Sequence, residues 1–76
     1  MNIVNPFKYI KDKDNLTYGE LGKILGTSRQ CIHQLANDVS KPSSKLLLTI
    51  LVLYKEYFTP LDLLLYYHKN ELSSQL

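Results

Sequence analysis

Four side chains in the middle of this chain carry hydrogen-bonding chemistry at helical spacing: Arg29, Gln30, His33 and Gln34. Offsets of one, four and five positions place them on one side of a helix. Arginine presents a planar fork of donors, and glutamine carries a donor and an acceptor on one amide. Such groups match the edges of nucleic-acid bases, which differ in their donor and acceptor patterns. His33 adds a group whose charge changes near neutral pH, so binding through it would be pH-sensitive. Ile32 and Leu35 fall on the opposite side of the same helix, and Cys31 lies at its inner edge as a small, half-buried hydrophobe.

A polar face of this kind is useful only if the helix bearing it is held rigidly. The stretch from Leu16 to Asp38 supplies the means. Thr17 is an N-cap with Glu20 three residues on, which predicts a capping box, and Leu16 is placed to staple onto Leu21. Gly26 ends that helix and Ser28 caps the next. Leu21, Leu25, Ile32 and Leu35 then form one shared apolar seam. Two short helices across a tight glycine turn, spanning 17–37, are a helix-turn-helix arrangement.

The remaining chain reads as three more helices. Asn5-Pro6 is an N-cap followed by proline, and predicts a helix to about Lys13 with Phe7 and Ile10 turned inward. Asp14-Asn15 turns into the second helix, 18–25. The third, 29–36, stops at Asn37-Asp38, both tolerant of left-handed backbone. A loop from Ser40 to Ser43, containing Pro42, caps a fourth helix over 44–57. Thr59 caps a fifth over 60–70, with Pro60 first and Phe58 stapling onto Leu63, and a loose tail from Glu71 to Leu76 follows. No stretch keeps strand period, so the expected fold is all-α: one compact five-helix domain over 1–76. The fourth helix has two apolar stripes (Leu47, Ile50, Leu51 and Tyr54; Leu46, Leu53 and Tyr57), as a central helix buried all round would. The fifth is terminal yet apolar on two faces, which implies a partner surface. A homodimer joined through Leu61, Leu63, Leu64, Tyr66 and Tyr67 is expected.

Composition narrows the function classes. A chain of 76 residues buries only ~60% of its unfolded surface, so its margin of stability is thin. Its single cysteine excludes an internal disulfide, and no Cys/His cluster has zinc spacing. No signal-peptide pattern or bilayer-length apolar run is visible, so a cytoplasmic protein is expected. The net charge of +2 is unevenly spread: residues 1–45 hold seven basic side chains against four acids, and residues 46–76 hold two against three. The positive half is the one with the polar helix face, as a phosphate-facing surface requires. Without a glycine-rich phosphate loop, a usefully spaced carboxylate pair or a nucleophile–histidine–acid set, no enzyme and no cofactor is expected.

The segment resembles the helix-turn-helix of lambda-repressor-like (Cro-like, Xre-type) bacterial and phage regulators. That pattern has apolar residues at Leu21, Leu25, Ile32 and Leu35, a small residue at Gly22 and a turn glycine at Gly26, and all six fit. The likeness covers roughly 5–57 well and the fifth helix more loosely. Thr27 stands where the family usually has valine, and Ala36 and Asp38 replace the glutamate and glycine that commonly close the third helix. The resemblance implies a helix lying in the major groove of double-stranded DNA. Arg29, Gln30 and Gln34 would read bases, with Ser28 secondary and His33 peripheral. Thr17, Tyr18, Asn37, Lys41, Ser43 and Lys45 would hold phosphates. By analogy, the chain would be a small phage-, plasmid- or transposon-type repressor on a near-palindromic operator. The alternative is a protein-interaction module, an antirepressor or co-repressor that binds another regulator through its apolar C-terminal helices.

Overall fold

The computed structural model describes residues 4–69. Within them lie five helices and no strand: α1 (Pro6–Lys13), α2 (Tyr18–Leu25), α3 (Arg29–Ala36), α4 (Ser44–Leu53) and α5 (Pro60–Tyr67). Each begins where a side-chain oxygen replaces the missing intrahelical acceptor. Asn5, Thr17, Ser28, Ser43 and Thr59 are all in extended backbone and accept from first-turn amides. Thr17–Glu20 and Thr59–Asp62 both close reciprocal capping boxes, only the first of which the sequence announces clearly. The Thr17 amide donates to the Glu20 carboxylate at 2.9 Å. That bond, and then the Thr17 side chain, hold the Glu20 carboxyl below its ordinary range.

Three helices end on a left-handed residue: Asn15 (φ 54°), Gly26 (φ 77°) and Asp38 (φ 59°). In each case the next amide reaches back across the last turn. Leu16 donates to Lys11 at 2.9 Å, Thr27 to Gly22 at 2.8 Å and Val39 to Gln34 at 2.9 Å. This closure occupies carbonyls that would otherwise lack partners. Asn and Asp serve at two of the sites because their short polar side chains tolerate left-handed backbone better than most.

The core runs through every helix: Phe7 and Ile10 of α1, Leu21 and Leu25 of α2, Ile32 and Leu35 of α3, Leu47 and Ile50 of α4, and Leu63 and Tyr66 of α5. Phe58 joins them just before α5, in the same cluster as Leu63, as the expected staple requires. Leu16 packs on the cluster that includes Leu21.

Two expectations need correction. The fourth helix stops at Leu53, not at 57. Residues 54–57 turn instead, the Tyr57 and Phe58 amides both donating to the Tyr54 carbonyl, at 2.9 Å and 3.2 Å. The turn gathers an aromatic cluster: the Tyr54 ring stacks on Tyr57 at 5.6 Å, and Tyr9 meets Tyr57 and Phe58 at 5.8 Å and 5.5 Å. The Tyr57 hydroxyl donates to Asp14, tying this turn to the end of α1. Nor is α4 buried all round, since Leu48 and Val52 are 61% and 71% exposed and Leu53 stands out beside them. The fifth helix closes at Tyr67 with His68 as its C-cap, short of the expected end near Asn70; Asn70 and the tail beyond lie outside the described residues.

Gly22 is buried where α2 crosses the start of α3. A Cβ there would lie 2.8 Å from the Thr27 carbonyl oxygen and 3.2 Å from the Ser28 carbonyl group. Gly22→Ala therefore sets ~1 kcal/mol of helix propensity against overpacking of roughly 1–3 kcal/mol on backbone that cannot swing aside. The net expectation is destabilisation, with the thermal midpoint lowered by ~4–8 °C per kcal/mol, followed by circular dichroism. A more stable alanine variant would contradict the close approach.

Alkaline pH provides a second check. Burial first, and then the nearby Asp38 charge, push the Tyr66 phenol from 10 up to about 12. The native state thus favours neutral Tyr66, so its contribution is complete below pH 10 and is lost as pH rises toward 12. Wild type should lose up to ~3 kcal/mol more than Tyr66→Phe across that interval in urea unfolding. Parallel loss in both proteins would refute the assignment.

Candidate nucleic-acid interface

The polar face of α3 is assembled from both of its ends. Ser28 caps it, its hydroxyl oxygen accepting from Cys31 at 3.0 Å. Arg29 and Gln30 follow in the first turn, both exposed, and His33 is exposed one turn on. Gln34 is only half-buried at the edge of the same face, and Cys31 is half-buried against the core as expected. The opposite side supplies Ile32, Leu35 and Ala36 to the interior. Among the described residues, the side chains of Arg29, Gln30 and Gln34 enter no hydrogen bond or ion pair of the fold.

Residues expected to hold phosphates divide into two groups. Tyr18, in the first turn of α2, meets the His33 ring edge-on at 5.1 Å, so the start of α2 and the outer face of α3 are contiguous. The Lys11 ammonium lies 4.9 Å from the same Tyr18 ring. Lys11, which with Lys8 and Lys13 ranks below the other phosphate candidates by sequence because Asp12 and Asp14 offset them, is a cation on this surface and pairs with Asp12 at 3.9 Å. Thr17 is exposed beside Tyr18, its hydroxyl accepting from the Glu20 amide at 3.0 Å. Asn37 is exposed one turn beyond His33, with its amide donating back to the His33 carbonyl at 2.7 Å.

Lys41, Ser43 and Lys45 belong to the other group. Ser43 caps α4, accepting from Leu46 at 3.2 Å, and Lys45 is exposed in the first turn of α4. Lys41 is turned toward α5, its ammonium 4.7 Å from the Tyr67 ring centre.

The expected dimer residues are also divided. Leu63 and Tyr66 are 5% and 3% exposed, buried against the protein's own core, so neither is available to a second copy. Helical geometry explains the correction: the face carrying Leu63 and Tyr66 is the one that closes the core, with Tyr67 half-buried at its edge. Leu61 and Leu64 point outward, 62% and 55% exposed, and Leu48, Val52 and Leu53 of α4 add to the exposed apolar surface. Leu48 and Leu64 line one groove of about 350 Å³ between α4 and α5.

Sequence reasoning missed how the far end of α3 is held. Asn5 does more than cap α1. Its Oδ1 accepts from Phe7 and Lys8 at 3.0 Å and 3.2 Å. Its Nδ2 donates to the Leu35 carbonyl at 2.8 Å, the Ala36 carbonyl at 3.3 Å and the Asp38 carboxylate at 3.1 Å. One amide thus joins the start of α1 to the end of α3. The signal was the choice of asparagine over the equally good caps serine and aspartate, since only the amide combines a strong acceptor with two donors.

No family model, curated protein or solved structure matches the chain. Among the described residues no group of three His, Cys, Asp or Glu side chains is placed to hold a metal ion, and no helix is long and apolar enough to cross a membrane.

The double role of Asn5 distinguishes it from an ordinary cap. Asn5→Asp should keep the α1 cap yet lose ~1–3 kcal/mol, because a carboxylate would face the α3 carbonyls and Asp38. Asn5→Ala should lose at least as much. Urea unfolding reads both, and an Asn5→Asp variant as stable as wild type would show that the contacts to α3 contribute nothing.

Proposed function

We propose that this chain is a sequence-specific double-stranded-DNA-binding regulator of the lambda-repressor-like type. In this reading α2 and α3 form its helix-turn-helix, and α3 enters the major groove. The observation that carries the reading is the outer face of α3. Arg29 and Gln30 stand exposed in its first turn without a role in the fold, on a helix pinned at one end by Gly22 and at the other by Asn5. Side chains near the N-terminus of such a helix meet base edges: arginine pairs with guanine O6 and N7, glutamine with adenine N6 and N7. Gln34 reaches the next base step, Ser28 and His33 assist at the rim, and Thr17, Tyr18 and Lys11 contact phosphates on the adjacent strand.

The molecule acts in the cytoplasm as a homodimer that represses from a near-palindromic site. Leu61 and Leu64, with the exposed leucines and valine of α4, supply the apolar surface for pairing. That same surface supports the second reading, an interaction module that binds another regulator.

Selection from random duplexes separates the two. A DNA-binding dimer enriches a near-palindrome with half-sites about one helical turn apart, and its affinity falls steeply with salt. Arg29→Ala or Gln34→Ala should cut discrimination roughly tenfold to a hundredfold at unchanged thermal stability. Weak, sequence-blind binding that these variants leave unaltered would sink the DNA reading in favour of the interaction module.

A further inference from the structure

A cleft of about 270 Å³ opens where the segment between α3 and α4 meets the end of α5. Asp38, Ser40 and Lys41 form one wall, and Tyr66, Tyr67 and Lys69 the other. Lysines approach from both sides. The Lys41 ammonium lies 4.7 Å from the Tyr67 ring centre, and the Lys69 ammonium 4.9 Å from that of Tyr66. Lys69 also pairs with Asp38. Among the described residues Lys41 meets no carboxylate within ion-pair distance. Among the described residues the cleft therefore holds two cations against one anion.

The aromatic contacts matter chemically. A ring face attracts an ammonium by ~0.5–1 kcal/mol at exposed sites. Such a contact positions the charge without neutralising it. An oxygen seat already exists there, because the Asp38 carboxylate accepts both from Lys69 and, at 3.1 Å, from Asn5. Drug-sized ligands occupy pockets of ~300–1,000 Å³, so a cleft just below that range suits a small group. Two compact ammonium charges on a cleft that Ser40 also lines suit an anion offering several acceptor oxygens, which favours phosphate over a single carboxylate.

We infer that this cleft binds a phosphate group, with Lys41 and Lys69 as its ligands and Asp38 as an internal competitor that occupies Lys69 in its absence. The phosphate is either a backbone phosphate of bound DNA or a free phosphate. Only the first source rests on the DNA-binding reading; the site itself does not.

Titration of the full chain with inorganic phosphate at constant ionic strength, followed by amide NMR, tests the site without DNA. Saturable shifts confined to residues 38–42 and 66–69 are expected. Lys41→Met should weaken binding about tenfold, the scale of one charge-assisted hydrogen bond. Asp38→Asn should tighten it severalfold, because asparagine tolerates the left-handed backbone and still accepts from Asn5 but releases Lys69. A purely structural Asp38–Lys69 pair would not produce tighter binding. On a selected duplex, Lys41→Met lowers the slope of log affinity against log salt by about one if backbone phosphate is the source. An unchanged slope with phosphate binding intact assigns the site to free phosphate. Absence of saturable shifts in wild type, insensitivity to Lys41→Met, or weaker binding by the Asp38→Asn protein overturns the inference.

Discussion

At Gly22 the α2 backbone runs so close to the Thr27–Ser28 peptide that even a methyl group would lie 2.8 Å from a carbonyl oxygen. Glycine is a poor residue for a helix interior, worth ~1 kcal/mol less than alanine. Here it permits a distance that no other residue allows. From that contact follow the position of the Ser28 cap, the direction in which α3 leaves it, and the meeting of Leu21 and Leu25 with Ile32 and Leu35. Gly26 contributes conformation, not space: its φ of 77° closes α2, and nothing lies within 4 Å of a Cβ built on it. The two glycines, one turn of helix apart, solve different problems.

The opposite end of α3 is held by polar groups instead of close packing. Asn5 donates to its last carbonyls while capping α1, and Asp38, in left-handed backbone just past the helix, accepts from both Asn5 and Lys69. Helices α1, α3 and the end of α5 therefore converge on one carboxylate. Local closure and tertiary attachment share residues there. A glycine at 38 would relieve backbone strain but would leave Lys69 and the Asn5 amide with one acceptor fewer. Aspartate at 38 sets that strain against two tertiary contacts.

Local signals made much of the fold legible. The N-caps Asn5, Thr17, Ser28 and Thr59, both proline starts, the turns at Asp14-Asn15 and Gly26, and the core positions Phe7, Ile10, Leu21, Leu25, Ile32 and Leu35 are where side-chain type and spacing put them, and within the capping loop 40–43 the cap is Ser43. These depend on neighbours within about one turn. What the sequence did not disclose depends on partners far along the chain. Helix four ends early because Tyr54 and Tyr57 are drawn into the aromatic cluster with Tyr9 and Phe58, and Asp14 receives the Tyr57 hydroxyl. The apolar wheel of α5 offers two candidate inner faces, and only packing against the other helices selects Leu63 and Tyr66. On the candidate site, the exposed α3 face was readable from helical period, whereas the Tyr18–His33 contact and the Asn5 bridge required the tertiary arrangement.

Polar side chains in so small a protein fall into two populations. Asn5, Thr17, Glu20, Ser28, Ser43, Thr59 and Asp62 are engaged in caps, and Asp14, Asp38 and Lys69 in ties between distant segments. Among the described residues no buried side-chain nitrogen or oxygen lacks a partner. The side chains of Arg29, Gln30 and Gln34 enter no hydrogen bond or ion pair among the described residues. Helix propensity does not select them either, because lysine and glutamate serve an exposed helix position as well as arginine and glutamine do. Nor does intrahelical ion pairing, since α3 contains no carboxylate to stand opposite Arg29. Gly22 and Asn5 hold the helix on which these side chains stand.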